Sequence, residues 1–301
     1  MEEFHSLLKD ICEEEGIKYS LLSKDWITML EKDNKTRFIC GYKFDLNKHG
    51  IGLVIDDKYA MYEVLRNKGL KSIEYNILFR NDNYEDNYEY VLDYFYKHNN
   101  SIVLKPNEGT CGNNVIHITK EEDIDSNLHY LLKRNFSISM CPFYNIKNEY
   151  RFIMLDGECQ ICYGKERPVV KGDNIHTIKE LLLDFNNNYF SNKELDSSYD
   201  RVLGKDEVFE YDWRFNLSQG SRSFELENNE LYDRLLNFAK DINSKIGLGF
   251  GSIDIIHTVD DELYIMELNS GVMCKNYIEI GKDGYNKVKN MYRKAILKMF
   301  E

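Results

Sequence analysis

A segment near the C-terminal end of the chain reads Gly251-Ser-Ile-Asp-Ile-Ile-His-Thr-Val-Asp-Asp-Glu-Leu-Tyr-Ile-Met-Glu-Leu-Asn269. Two apolar runs flank an acidic turn, which predicts a β-hairpin. Because side chains alternate between the two faces of a strand, one face of this hairpin runs from an apolar base to a polar end. With the turn at Asp260–Asp261, the expected pairs are Thr258 with Leu263, Ile256 with Ile265, Asp254 with Glu267, and Ser252 with Asn269.

The polar end of this hairpin carries candidate metal ligands. Two carboxylates that lie directly opposite each other, Asp254 and Glu267, destabilise a hairpin unless a cation neutralises them. With the amide oxygen of Asn269 they form a set of hard oxygen donors, which is the type that Mg²⁺ prefers. The alternative is a surface hairpin whose acids face water. A slip of one residue in the pairing would separate the two acids.

Composition limits the partners of the protein. The chain has 301 residues, 43% of them hydrophobic, and a net charge of −12. This acidic balance argues against binding to nucleic acid or to an anionic membrane surface, both of which need a basic surface. No apolar run reaches the ~18 residues of a membrane-spanning helix. The acidic N-terminus does not resemble a signal peptide, so a cytoplasmic location is expected.

The cysteines favour reduced thiols rather than a disulfide framework. Their number, seven, is odd, and they are scattered along the chain. Cys159 and Cys162 have the spacing of a metal or redox motif, but they fall in a strand-like run and no second pair follows. Two ordinary strand cysteines are therefore favoured over a zinc or redox site.

Hydrophobic periodicity predicts a small N-terminal lobe over 1–56, and the lobes of the chain are expected to pack as one α+β unit. Residues 185–210 are polar and predict an irregular flap. Helices are expected over 1–15, 58–67, 84–98, 121–133, 178–184, 230–245 and 284–300, and strands over 17–22, 26–30, 37–42, 73–79, 101–105, 115–118, 136–140, 149–155 and 158–164.

A glycine-containing loop and two lysines form a candidate anion site. The loop Asn107–Asn114 lies between two strands, and its small residues let backbone N–H groups approach an anion closely. Lys105 ends the preceding strand, and Lys58 falls in the first turn of a helix that Asp57 can cap. The alternatives are a plain hairpin loop, a solvated strand end and an exposed helical cation.

Other charged groups are less specific when each is taken alone. Glu149 and Arg151 share one face of a strand, and the alternative to a functional role is a cross-strand ion pair. Lys165 and Arg167 follow the next strand, and Arg214 precedes a glycine at position 220.

The order of these segments resembles the ATP-grasp family of carboxylate–amine ligases, from about Asp57 to the C-terminus. The family includes D-alanine–D-alanine ligase, glutathione synthetases, cyanophycin synthetase and the ribosomal-protein glutamate ligases. The matching segments are Asp57-Lys58, Ile102-Val-Leu-Lys105-Pro-Asn with its glycine loop, Glu149-Tyr-Arg, Lys165-Glu-Arg-Pro with Gly172-Asp-Asn-Ile-His-Thr-Ile-Lys-Glu-Leu, Arg214-Phe-Asn216-Leu, and Asp254 followed by Glu267-x-Asn269.

The resemblance implies an α+β ATP-grasp fold in which two α/β lobes, over 57–140 and 141–301, clamp ATP beside the short N-terminal lobe. It implies that two Mg²⁺ ions, or Mn²⁺, bind at Asp254, Glu267 and Asn269. The implied nucleotide-binding residues are Lys58, Lys105, Gly109, Thr110, Cys111, Gly112, Phe143 and Glu149, where Glu149 holds the ribose. Arg214 and Lys165 are the implied catalytic residues.

The implied reaction joins a carboxylate to an amine through an acyl phosphate and releases ADP and phosphate. The partners are then small molecules or peptides that carry these groups, and the sequence is compatible with an oligomer. A non-catalytic ATP-binding module and a phosphotransferase with the same fold are the alternatives. Activity that depends on an added amine separates the ligase from both.

The sequence departs from the family at several positions. Ser252 stands where D-alanine ligases carry an arginine, so Arg214 is expected to supply that charge. Pro142 lies near the expected adenine hinge and has no N–H to donate, so the donor is expected at Phe143. Asn269 is not followed by the usual proline, and the region before Lys58 is short for the family's N-terminal domain.

Overall fold

The N-terminal segment combines a helix with a four-stranded antiparallel sheet. The computed structural model describes residues 2–109, 112–278 and 283–301. The strands of this first sheet follow one another in sequence order. The helix buries an apolar stripe, as its periodicity predicts. The elements are α1 (Glu2–Glu14), β1 (Lys18–Leu22), β2 (Ile27–Lys32), β3 (Lys35–Cys40) and β4 (Lys43–Phe44).

A second antiparallel sheet, in the order β5-β8-β6-β7, follows two consecutive helices. Asp57 begins the second of these helices, since its carboxylate accepts a hydrogen bond from the N–H of Ala60 at 2.8 Å. The elements are α2 (His49–Asp56), α3 (Lys58–Asn67), β5 (Asn76–Phe79), α4 (Tyr84–Lys97), β6 (Ile102–Pro106), β7 (Ile116–Ile118), α5 (Ile124–Arg134) and β8 (Ser137–Pro142).

The third sheet has five antiparallel strands in the order β13-β10-β9-β14-β15. Its elements, with those inserted between its strands, are β9 (Ile146–Leu155), β10 (Glu158–Glu166), β11 (Val169–Lys171), α6 (Ile178–Phe185), α7 (Asn187–Phe190), β12 (Val208–Glu210), β13 (Arg222–Phe224), α8 (Glu230–Ile246), β14 (Phe250–Thr258), β15 (Leu263–Asn269), α9 (Lys275–Ile278) and α10 (Gly284–Phe300).

The insertion between β10 and β13 has a hydrophobic core of its own, to which the predicted flap over 185–210 contributes Phe185, Phe190 and Leu203. Its backbone is largely irregular between α7 and β12, as predicted. Its two strands, β11 and β12, pair with each other, and Thr177 and Glu180 form a capping box at the start of α6. The apolar residues are too widely spaced in sequence for a periodicity to indicate that they meet. The core residues are Val170, Ile178, Leu182, Phe185, Phe190 and Leu203.

The N-terminal segment packs on the third sheet and on α10. The ring of Phe44 stacks on Tyr292 at 5.6 Å and meets Phe250 edge-on at 4.9 Å. The side chain of Asn47 accepts hydrogen bonds from the backbone of Gly249 and Phe250. Residues 1–56 thus share a core with the C-terminal helix rather than burying their apolar surface alone.

The segment between α3 and β5 pairs with β15 of the third sheet. The backbone of Lys71 and Ile73 exchanges hydrogen bonds with both backbone groups of Ile265, each 2.9 Å long. This contact places the loop after β6 and the first turn of α3 beside the C-terminal hairpin.

Within the described ranges, no helix combines the length and the apolar character needed to cross a bilayer. Cys159 and Cys162 are partly buried free thiols on β10. Among the residues that the structure describes, no group of three or more His, Cys, Asp and Glu side chains could hold a metal ion.

Candidate active site

The polar end of the C-terminal hairpin has the predicted register. Asp254 lies opposite Glu267, and Ser252 lies opposite Asn269. All four side chains therefore share one face, as the alternation of strand side chains requires. Asp254 is buried, with 1% of its surface exposed, whereas the side chain of Glu267 is 25% exposed.

Nearer the turn, the predicted pairing is wrong by one residue. The loop has three residues instead of two, because the N–H of Thr258 donates to the carbonyl of Glu262. Asp261, the last loop residue, has a left-handed φ of 63°, as three-residue hairpin loops require. A bulge at Met266 then restores the register at the polar end. The observed pairs are Ile255 with Ile265, Ile256 with Tyr264, and His257 with Leu263.

Asp254 forms a bidentate ion pair with Arg151 on the neighbouring strand. The Nε atom of Arg151 lies 2.7 Å from Oδ1 of Asp254, and Nη2 lies 2.6 Å from Oδ2. The two residues are direct cross-strand partners between β9 and β14. Burial disfavours the charged carboxylate, but Arg151 and then Lys165 outweigh it, so the pKa of Asp254 lies below its ordinary value.

Lys165 lies between two buried acids. Its Nζ donates to Oε1 of Glu149, its cross-strand partner, and lies 3.3 Å from Oδ2 of Asp254. Burial raises the pKa of Glu149 above its ordinary value, although Lys165 opposes this. Burial and Arg151 lower the pKa of Lys165, but Asp254 and Glu149 outweigh them and raise it. Glu149, expected to hold a ribose, is thus part of a buried ion-pair network.

Lys58 faces both the hairpin and the glycine loop. Its Nζ lies 3.6 Å from Oε1 of Glu267. It also donates to the carbonyls of Asn107 and Gly109, at 3.1 Å and 2.8 Å. The lysine is buried, which is the main reason that its pKa lies below its ordinary value; Glu267 works against this and Lys105 adds to it. Lys58 is therefore not the exposed helical cation of the alternative interpretation.

Lys105 is connected to the hairpin through Tyr75. Its Nζ donates to the hydroxyl of Tyr75 at 2.6 Å, and it lies 4.6 Å from the centre of that ring. The Tyr75 hydroxyl donates in turn to the carbonyl of Met266, the bulge residue, at 3.3 Å. The cation at the end of β6 is held by a side chain that the sequence did not single out.

The glycine loop approaches the segment that contains Arg214. Gly112 has a left-handed φ of 64°, and a Cβ atom there would lie 2.3 Å from Nδ2 of Asn216. Only glycine fits this position without displacing Asn216. Two other loop residues assigned from the resemblance, Thr110 and Cys111, lie outside the described residues.

Phe143 contributes an aromatic surface, not a free N–H. Its backbone N–H donates to the carbonyl of Ser101 at 3.1 Å, so the expected donor to adenine is already paired in this structure. Its ring stacks on His117, with centroids 3.9 Å apart and an angle of 9° between the planes. Trp213 packs against both rings, at 5.4 Å and 5.5 Å. Burial lowers the pKa of His117 below its ordinary value.

Arg214 forms its ion pair with Asp212, two residues before it, at 2.6 Å. It was expected to supply the guanidinium that D-alanine ligases carry at the position of Ser252. The guanidinium that lies beside Asp254 in this structure belongs instead to Arg151.

No family model and no curated protein matches this sequence. Solved structures do match. A bifunctional glutathione synthetase from Pasteurella multocida has 19% identity and a TM-score of 0.55, over 96% of this chain and 43% of that chain. A D-alanine–D-alanine ligase from Bacillus anthracis has 14% identity and a TM-score of 0.51, over 80% and 69% of the two chains. The ATP-grasp ligase PsnB, complexed with a minimal precursor, has 14% identity and a TM-score of 0.50, over 82% and 64%. The chain has the ATP-grasp fold.

The donor atoms at the hairpin fit the divalent cation that an ATP-grasp site implies. Within the described residues, Oγ of Ser252, which lies opposite Asn269, is a buried oxygen without a hydrogen-bond partner. Buried polar atoms without partners are costly, so they indicate a place for a ligand. Asp254, Glu267 and Asn269 offer three oxygen donors, and phosphate oxygens and water would complete the shell of a Mg²⁺ ion.

Sequence reasoning missed three residues of this candidate site: Tyr75, His117 and Trp213. Their signals were weak, because an aromatic residue at such positions ordinarily indicates core packing. Arg151 was noticed as a cross-strand ion-pair candidate, and the structure confirms that pairing with Asp254 as its partner.

Proposed function

We propose that this protein is an ATP-dependent ligase that joins a carboxylate to an amine and releases ADP and phosphate. The observation that carries this proposal is the pairing of Asp254 with Glu267, with Asn269 on the same face and Lys58 only 3.6 Å from Glu267. Acids and a lysine in this arrangement suit a metal-bound polyphosphate, since each phosphate oxygen can meet either a cation or a metal ion.

The side chains have separate tasks in this proposal. Lys58 and Lys105 would hold phosphate oxygens by charge-assisted hydrogen bonds. The backbone of the loop that contains Gly109 and Gly112 would cover the phosphates. Asp254 and Glu267, with Asn269, would hold Mg²⁺, which supplies charge neutralisation when bound.

The carboxylate substrate would receive the γ-phosphoryl group and become an acyl phosphate. The amine would then attack the acyl carbon, form the C–N bond, displace phosphate and lose a proton. Lys165, which contacts Asp254, and Arg214, whose segment lies against Gly112 through Asn216, are the candidates for stabilising the charge that develops. The substrates are small molecules or peptides that carry the two groups.

The test is ADP release from Mg-ATP in the presence of amino acids and dipeptides, supplied singly and in pairs. A ligase releases ADP over many turnovers only when a carboxylate and an amine are both present. ADP release that needs a carboxylate but no amine identifies a phosphotransferase, and ATP binding without release identifies a non-catalytic module. Either result contradicts the proposal.

Glu267→Gln provides the first residue-level prediction. The change is nearly isosteric and removes one charge from a partly exposed side chain, so the fold should persist while most Mg²⁺-dependent ADP release is lost. Circular dichroism checks the fold and the ADP assay measures turnover.

The matched control is Glu262→Gln, which removes an acid directly after the loop of the same hairpin. Glu262 pairs with Lys71 at the surface, and exposed pairs contribute little. Its activity should equal that of the wild type. Near wild-type activity in Glu267→Gln would mean that the metal site lies elsewhere.

A further inference from the structure

Asp254 has both of its carboxylate oxygens engaged by cations. Arg151 donates to both oxygens, and Lys165 contacts Oδ2 at 3.3 Å. A carboxylate offers about four acceptor positions, so three of them are used and one is left for a further ligand. Asp254, a candidate ligand for a divalent cation, is thus held by two positively charged side chains.

The charges around the hairpin balance within the described part of the chain. Ion pairs connect the acids Glu149, Asp254 and Glu267 to the cations Lys58, Arg151 and Lys165. Lys105 lies close enough to Lys58 to lower its pKa. With no excess of negative charge, these side chains do not attract a dication by themselves, although their oxygen atoms suit it. Phosphates, in contrast, would bring several negative charges to the same place.

We propose that Arg151 is a positioning residue that fixes Asp254 by its counter-charge, so that the protein binds a divalent cation only together with the phosphates of a nucleotide. This inference rests on the proposed function, because it assigns the nucleotide as the source of negative charge.

Arg151 is better suited to this role than Lys165. Its two nitrogen atoms meet the two oxygen atoms of Asp254, which fixes the plane of the carboxylate. Its guanidinium keeps its charge at every physiological pH. Lys165 is shared between Asp254 and Glu149, so only part of its charge acts on Asp254.

The test is Mn²⁺ binding, followed by the electron paramagnetic resonance signal of free Mn²⁺ and by calorimetry, without and with ADP. Wild-type protein should bind Mn²⁺ weakly alone and much more tightly with ADP. Arg151→Met should bind Mn²⁺ without nucleotide about tenfold more tightly than wild type or better, because one positive charge beside Asp254 is gone. A purely structural role for Arg151 predicts no such gain.

Two variants are matched controls. Arg151→Lys keeps the charge and should leave Mn²⁺ binding without nucleotide as weak as in the wild type. Arg222→Met removes an arginine from the same sheet, where it pairs with Glu166 in an exposed position, and should change nothing.

Arg151→Met could lose stability because Asp254 would keep only Lys165 as a partner. The double variant Arg151→Met with Asp254→Asn removes the two charges together, so it should fold, as thermal melting would show. It should bind no Mn²⁺ without nucleotide, since the ligand is gone. If Arg151→Met does not fold, tight Mn²⁺ binding by the wild type without nucleotide still overturns the inference, because that measurement needs no variant.

Tight Mn²⁺ binding by the wild type without nucleotide overturns this inference. So does a folded Arg151→Met variant that gains no affinity, or one whose gain survives when Asp254 becomes asparagine. These outcomes are distinct from failure of the ligase proposal, which is read from ADP release and its dependence on an amine. A protein that releases no ADP but shows the Mn²⁺ pattern keeps the role of Arg151 and loses the ligase function.

Discussion

At the scale of single residues, the substitution Lys105→Met tests whether Lys105 binds a phosphate or is a solvated lysine at the end of a strand. A lysine bonded to a phosphate contributes about 1.5–3 kcal/mol, so Lys105→Met should weaken ATP binding roughly tenfold to hundredfold. Adenosine binding should hardly change, because it has no phosphate. Calorimetric titration of both proteins with both ligands measures the difference.

Tyr75→Phe is the control for the position of Lys105. It removes the hydroxyl that accepts from Lys105 and donates to Met266, but leaves the positive charge in place. Its effect on ATP binding should be smaller than that of Lys105→Met. Equal ATP affinity in wild type and Lys105→Met would remove Lys105 from the site.

The lowered pKa of His117 leads to a prediction about how the stability of the protein depends on pH. Burial lowers its pKa in the folded protein, so an unfolded chain takes up the proton first as the pH falls from an ordinary value of about 6.5. The neutral ring of His117 therefore makes its full contribution to the free energy of unfolding above that pH. This contribution is lost as the pH falls through the pKa of His117 in the folded protein. The stability of His117→Gln should fall less than that of the wild type between neutral pH and pH ~5, as urea unfolding at several pH values would show.

His176 provides a control, because its effect on the pH dependence of stability has the opposite sign. Its hydrogen bond to Asp173 raises its pKa, so its contribution is present at low pH and is lost as the pH rises. His176→Gln should therefore change the pH dependence in the other direction. The same direction in both variants would contradict the assignment for His117.

At the scale of an element, the loop after β6 depends on one glycine. Gly112→Ala places a Cβ atom 2.3 Å from Nδ2 of Asn216 and forces a non-glycine residue into a left-handed conformation, which costs about 1–2 kcal/mol. The loop should shift away from the Asn216 segment, and ATP affinity should fall about tenfold. Calorimetry with ATP measures this, and thermal melting should show little change in the rest of the fold.

Gly50→Ala is the matched substitution. Gly50 lies in α2, and an added Cβ there meets nothing within 4 Å. Both ATP affinity and folding should be unaffected or slightly improved. If Gly112→Ala also binds ATP normally, the loop does not cover the phosphates.

At the scale of the whole molecule, Trp213 reports on the contact between the second and third sheets. It belongs to the segment before β13, yet it packs on His117 of β7 and on Phe143. A nucleotide that binds between the sheets should alter the surroundings of its ring. In Trp26→Phe, which leaves Trp213 as the only tryptophan, ATP should therefore shift or quench the fluorescence.

Trp213→Phe is the complementary variant, and its remaining Trp26 is exposed on the N-terminal sheet. Its fluorescence should not respond to ATP. A response that follows Trp26 instead would place the nucleotide, or the movement it causes, away from the Trp213 contact.

Much of the local structure could be predicted because its causes lie within a few residues. Asp57 caps α3 through an N–H three residues away, and Thr177 and Glu180 cap α6 in the same way. The opposition of Asp254 and Glu267 was predicted from the spacing along one hairpin. That prediction holds although the turn was placed wrongly, because the bulge at Met266 compensates for the third loop residue.

The sequence by itself determined the seven predicted helices, most of the longer strands and the polar end of the hairpin, since short-range hydrogen bonds and side-chain alternation decide these. It did not predict the short elements α2, α7 and α9 or the strands β4, β11, β12 and β13. Only the tertiary structure decided which cations meet Asp254. Arg151 and Lys165 reach it because the third sheet places β9 next to β14 and β10 on the other side of β9, an order that does not follow the chain. Likewise, Trp213, near the end of the insertion, meets Phe143 across 70 residues of sequence. Such contacts depend on the packing of whole elements, which no local pattern encodes.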